Sequence, residues 1–307
     1  MTEITILDGG MGQELLKRSG DVPTPLWSTG VMLDRPGLVA EVHKSYADAG
    51  AKVATSNTYA IHRDRLSGGD NNHYAGEGVD MPDMEHQFEA LLDAALNEAD
   101  AVRDTCKVAG SIGPLKASYR ADLHPDEATA VPIYAEIAKL LAPRVDMLLF
   151  ETIPSVEAAR ACLAAGRQTG KPVWLSFTVA DEDGSRLRSG ELLTEAATVA
   201  AEADAALVNC SMPEAMLAAL DALAMSGRPY GAYANGFTKL TKAFVDGGAT
   251  ASVLKARQDL TPQVYAEYAL SWADHGATLL GGCCEVGPDH ISEMVSRLTS
   301  AGHTLAP

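Results

Sequence analysis

No run of eighteen apolar residues occurs in this chain of 307 residues, so no membrane-spanning helix is expected. Cysteine is scarce. Cys106, Cys162, Cys210, Cys283 and Cys284 make five, an odd number. That count argues against a stapling disulfide framework and for a reducing cytoplasm. Positive charge is also short: Lys and Arg total 24 against 41 Asp and Glu, for a formal charge of −17. Such a field repels phosphate backbones, which argues against nucleic acid as a partner. It favours solubility and mildly attracts cationic small molecules. Met1-Thr2-Glu3-Ile4-Thr5 lacks the basic flank of a secretory signal, and none is expected. The glycine-rich turn of dinucleotide-binding sheets is missing too.

What is present is a rhythm. Apolar residues make up 47% of the chain, enough for a packed core. Short apolar runs predict strands at Thr5–Asp8, Val53–Asn57, Val108–Ile112, Met147–Glu151, Val173–Thr178, Ala206–Cys210, Tyr230–Ala234 and Thr278–Gly281. Most are continuous rather than alternating, as parallel strands buried on both faces require. Helical patterns separate them at Pro36–Ala49, Met84–Arg103, Ala128–Leu141, Ser155–Arg167, Leu192–Glu202, Glu214–Ala224, Pro262–His275 and Pro288–Leu298. Eight such units without a compositional break predict an α/β fold, a (β/α)8 TIM barrel forming one domain over residues 1–307. Two polar, glycine-containing stretches break the rhythm, at 67–83 and 235–261. Both follow strand ends, where barrel enzymes build their sites.

In a barrel the strand ends converge on one mouth. Here they carry Asp8-Gly9-Gly10, Ser56-Asn57-Thr58-Tyr59, Gly110-Ser111-Ile112-Gly113, Glu151-Thr152, Asn209-Cys210, Tyr233-Ala234-Asn235 and Gly281-Gly282-Cys283-Cys284. Cys210, Cys283 and Cys284 thus offer three thiolates, and zinc prefers four ligands with one position left open in catalytic sites. Buried inert cysteine is the bland alternative. Asp8 and Glu151 are natural partners for an ammonium, or else local caps. Gly9 and Gly10 let backbone approach a ligand, or simply make a tight turn. Tyr59 presents a face that attracts an onium cation, with Thr58 beside it, and Asn235 orients a ligand or a loop. The histidines show no shared metal spacing. No predicted strand carries an interior lysine for Schiff-base chemistry; Lys52 and Lys107 sit at the opposite end.

Six of these motifs, in this order, resemble the homocysteine S-methyltransferase family: Asp8-Gly9-Gly10-Met11-Gly12, Ser56-Asn57-Thr58-Tyr59, Gly110-Ser111-Ile112-Gly113-Pro114, Glu151-Thr152-Ile153-Pro154, Asn209-Cys210 and Gly281-Gly282-Cys283-Cys284. They span nearly the whole chain. Its length looks like the single-domain members that use betaine or S-methylmethionine, and Leu26-Trp27-Ser28 is similar to a segment of the latter. The resemblance implies a cytoplasmic enzyme with zinc on the three cysteines. Its substrates would be small molecules: L-homocysteine as acceptor, its amino group on Asp8 and Glu151, and S-methylmethionine before betaine as donor. Two positions depart from the pattern. Glu285-Val286-Gly287 follows the cysteine pair where Gly or Arg and then Thr is usual, and Ala234 replaces a proline. Another thiol or selenol acceptor, or a non-enzymatic metal- or redox-sensing thiol cluster, are the alternatives.

Overall fold

Strand runs that are apolar on both faces can only be satisfied by a sheet covered inside and out. The computed structural model, which describes residues 3–21, 26–67, 83–238 and 254–307, shows how. Nine strands run parallel: β1 (Glu3–Ile6), β2 (Val53–Thr55), β3 (Lys107–Ile112), β4 (Met147–Ile153), β5 (Val173–Phe177), β6 (Ala205–Asn209), β7 (Tyr230–Tyr233), β8 (Leu279–Leu280) and β9 (Thr304–Leu305). Each of β2 to β7 pairs with the next, and β8 pairs with β1. A parallel bridge from Leu7 to Val53 brings β1 back to β2. Hydrogen bonds from Lys52 N to Ile6 O and from Asp8 N to Val53 O complete that seam. The eight predicted strands thus close into the expected barrel.

The ninth strand was not predicted. Thr304 and Leu305 pair with Glu3 and Ile4, covering the lower half of the β1 edge that β2 joins only higher up. Two residues carry no readable period. Three described α-helices were also missed: Met11–Ser19, which starts directly after the Gly9-Gly10 turn, Ser28–Asp34, and the single turn Arg63–Leu66. The predicted helices are present with ends shifted by a few residues. Pro262 and Pro288 open theirs, and the Ser155 side chain caps Val156–Gly166 by accepting from Ala158 N. Most of the two irregular stretches, 68–82 and 239–253, lies outside the described residues. No described helix is long and apolar enough to cross a membrane.

The period of two along each strand divides the core. Leu7, Val53, Ala109, Leu149 and Leu207 belong to a cluster inside the barrel. Ile6, Val108, Leu148, Phe150, Val208 and Leu280 pack outward with the helices. Lys107 opens β3 but is exposed, so the interior of the described barrel offers no lysine. The next inward positions toward the C-terminal end change character: Thr55, Ser111, Glu151, Ser176, Asn209 and Tyr233. A polar storey therefore sits on an apolar one, at the face where such barrels carry chemistry.

Candidate functional site

Glu151 is the inward residue near the end of β4. Its carboxylate accepts from the Ser111 hydroxyl on β3 and from Tyr233 OH on β7, the latter at 3.1 Å. Asp8, just past β1, accepts from Thr55 N at 2.6 Å and Thr55 Oγ1 at 2.7 Å. Both acids are buried. Burial pushes Asp8 up to about 7 against the pull of the Thr55 hydrogen bonds, and the charge of Glu151 adds to the rise. Burial likewise pushes Glu151 up to about 7. Two acids that repel each other in a dry mouth are a site for a cation, whose arrival would relieve both.

The cysteines come from two loops that meet over the same mouth. Cys283 N donates to Ala234 O at 2.9 Å, and Gly282 N donates to Asp8 O at 2.9 Å, so the loop after β8 is laced to β7 and to the β1 turn. Gly10 N donates to Val286 O at 3.0 Å. A side chain at Gly10 would put Cβ 2.5 Å from Cys283 O, and one at Gly9 would put it 2.2 Å from Val286 O. These two glycines allow the β1 turn to lie directly on the cysteine loop. The sulfurs of Cys210, Cys283 and Cys284 all lie within 4.8 Å of one another. Cys210 and Cys283 are joined as a disulfide with Cα atoms 5.8 Å apart, and Cys284 is a free thiol. One pair at a mouth is not a scaffold-stapling framework. Two electrons and two protons return it to thiols on the same backbone.

The donor set fits a metal. Sulfurs around a tetrahedral zinc stand roughly 3.8 Å apart at Zn–S distances of about 2.3 Å, which the three-sulfur span accommodates. Burial, then the charges of Glu285 and Glu151, push the Cys284 thiol up to about 12. A divalent cation is the partner that would ionise it. Among the described residues this is the one group of metal-capable side chains close enough to share an ion. His290 is occupied elsewhere, its Nε2 3.1 Å from Leu260 O and its Nδ1 accepting from Gly287 N at 3.3 Å.

The remaining candidates are placed as follows. Thr58 is fully buried and donates to Ser111 O at 2.7 Å. Tyr59 is half-buried; its OH lies 2.7 Å from Ser118 Oγ, and its ring meets Trp27 edge-on at 6.2 Å. Asn235 is buried, with Oδ1 accepting from Phe237 N at 3.1 Å and its own N donating to Ser211 O. Cys106 and Cys162 are buried free thiols apart from the cluster.

Sequence reasoning missed the importance of the Asn209 side chain. Its Oδ1 accepts from Thr152 N at 2.9 Å and Ser176 Oγ at 2.8 Å, while Nδ2 donates to Thr152 Oγ1 at 3.0 Å. Thr152 and Cys210 both have left-handed backbone, φ 60° and 48°, which residues other than glycine rarely adopt. One carboxamide thus braces the residue after Glu151 and sits immediately before Cys210. Asn209→Ala would strand a buried N–H and a hydroxyl, costing about 2–4 kcal/mol. Metal affinity is expected to fall roughly tenfold to a hundredfold through a loosened Cys210. Urea unfolding and chelator-competition titration measure the two; unchanged metal affinity would show that other contacts hold Cys210.

Comparisons with known proteins agree with this geometry. A family model described as Homocysteine S-methyltransferase matches residues 5–298. The chain is 29% identical to the homocysteine S-methyltransferase of Escherichia coli (strain K12), covering 96% of this chain and 95% of that one. It is 26% identical to a selenocysteine methyltransferase of Astragalus bisulcatus, covering 96% and 92%. The crystal structure of the homocysteine methyltransferase MmuM from Escherichia coli in its metallated form is similar over 96% of both chains, with a TM-score of 0.75 and 26% identity. The oxidized form of the same protein gives 0.74.

Proposed function

The chain belongs to the homocysteine S-methyltransferase family, and we propose that it moves a methyl group from an onium donor to the thiol of L-homocysteine, giving methionine. Cys210, Cys283 and Cys284 would hold zinc through three thiolates, leaving the fourth of its positions to the acceptor sulfur. Bound zinc supplies Lewis acidity that keeps a thiol ionised at neutral pH. Asp8 and Glu151 receive the acceptor's ammonium, and the Gly9-Gly10 turn brings backbone against the same ligand. Thr58, which donates to Ser111 O, and Asn235, whose Oδ1 accepts from Phe237 N, complete the substrate-binding set at the mouth. Tyr59 lines the donor side, where its ring face favours a cation.

In the transfer, the acceptor sulfur's lone pair forms the new S–C bond while the donor's onium atom keeps the pair from the bond that breaks. No proton moves in that step, so the chain's contribution is alignment of the two substrates and exclusion of water. S-methylmethionine is the donor we propose first and glycine betaine second, on the resemblance of Leu26-Trp27-Ser28 to the S-methylmethionine-type enzymes. The place of action is the cytoplasm, consistent with cysteines that must stay reduced to bind metal.

The single observation that supports this reading most is the convergence of three sulfurs within 4.8 Å on a mouth that also holds two buried acids. Purified reduced protein with one zinc per chain should form methionine from homocysteine and at least one onium donor. A metal-loaded protein that turns over no donor with homocysteine would defeat the proposal, and methylation of selenocysteine instead would redirect it to that acceptor.

A further inference from the structure

We propose that Glu285 sorts methyl donors by charge, favouring a net-cationic onium amino acid, which carries an ammonium besides its onium centre, over a net-neutral betaine. The proposal rests on methyl transfer at this mouth. It concerns which onium compound the site accepts.

A line of contacts leads from the aromatic pair to the cysteines. Tyr59 meets Trp27, and Trp27 Nε1 donates to Gln13 Oε1 at 3.2 Å. Gln13 Nε2 donates to Glu285 Oε1 at 2.5 Å, and Glu285 follows Cys284 directly. The indole N–H is a donor only, so it fixes which way the Gln13 amide points. The amide nitrogen must then face position 285, which must offer an acceptor. Glycines make room along the way. A Cβ at Gly12 would lie 2.3 Å from the Trp27 ring, and a Cβ at Gly236 would lie 2.9 Å from that of Glu285.

Glu285 itself is half-buried and held at φ 63°, in the left-handed region that a glutamate rarely occupies. Strain of this kind is retained where the surroundings over-determine a residue, often at functional sites. Among the described residues it forms no ion pair, and its second carboxylate oxygen has no hydrogen-bond partner. The acceptor's ammonium is already matched by Asp8 and Glu151. Among the described residues Glu285 is the acid left over, fixed beside the thiols on the aromatic side of the mouth.

Its effect on two donor types differs in sign. An ammonium elsewhere on the donor keeps its charge throughout the transfer, so pairing it with Glu285 strengthens ground state and transition state alike. Such pairing lowers KM and leaves kcat alone. A betaine has a carboxylate as its only other charge, which Glu285 repels.

Calorimetric binding of S-methylmethionine and of glycine betaine to zinc-loaded wild type and Glu285→Gln tests this. The glutamine keeps an acceptor for Gln13 and loses the charge. S-methylmethionine should bind about tenfold more weakly to the variant, with an equal rise in KM and a kcat within about twofold. Betaine should bind as well or better, and zinc content should match in both proteins. Both affinities moving by one factor, neither moving, or neither donor binding the wild type would overturn the proposal. A wild type that sorts the two compounds but transfers no methyl group would instead overturn the methyl-transfer reading and leave the sorting in place.

Discussion

Cys283→Ala is expected to yield a folded barrel that neither retains zinc nor transfers methyl groups. Cys283 shares the three-sulfur cluster with Cys210 and Cys284, and two thiolates cannot hold what three hold. Removing outer contacts of a metal site already costs tenfold to a hundredfold, so losing a ligand should cost at least about a hundredfold in zinc affinity. The fold should survive, because the barrel is closed by backbone pairing from β1 to β8 and by the Leu7–Val53 bridge, none of it dependent on a sulfur. The melting temperature of the reduced protein should therefore stay within about 4 °C of wild type. Zinc analysis, a methionine assay and thermal unfolding check the three parts. A variant with full zinc and full turnover would show that the cysteines are not the metal site.

Glu151→Gln should separate binding from stability. With the carboxylate gone, a ligand ammonium loses a charged partner, and affinity should fall roughly tenfold to a hundredfold. A thiol-free amino acid such as L-2-aminobutyrate isolates this effect from the metal. The free protein should respond in the opposite sense. Burial raises Glu151 to about 7 from an ordinary value of 4.5. The folded state therefore binds a proton that the unfolded state releases between those values. That contribution is fully present below the unfolded value and is lost as pH rises through about 7. Wild type should thus be less stable than Glu151→Gln at pH 8, and the gap should close toward pH 5. By the same linkage, wild type should bind the amino acid more weakly at pH 6 than at pH 8, because Asp8 and Glu151 take up protons. Ligand affinity equal in variant and wild type would remove Glu151 from the amino-group site.

The eight predicted strands were legible because most are continuous apolar runs, and a run such as Met147–Phe150 has few other uses. The helix at Met11–Ser19 was hidden by its own start: Gly9-Gly10 reads as a turn, and the residues after it were absorbed into that motif. The two-residue strand at Thr304 lacks any period. At the mouth, the three cysteines, Asp8 and Glu151 were visible as strand-end residues. Their partners were not. Ser111 and Tyr233 reach Glu151 from β3 and β7, and Asn209 reaches Thr152 from β6. Gln13 reaches Glu285 across 272 positions of sequence.

The amino-acid order alone determined which residues face the barrel axis, because the strand period of two leaves no freedom once one face is assigned. It also determined which chemical groups stand at the strand ends. Register and closure decided everything that depends on neighbours around the ring: the sulfurs' common centre, the two acids pushed up by shared burial, the brace at Asn209 and the hold of Gln13 on Glu285. Those properties come from distances between strands, and such distances are set by how the sheet curls and closes, which no local pattern encodes.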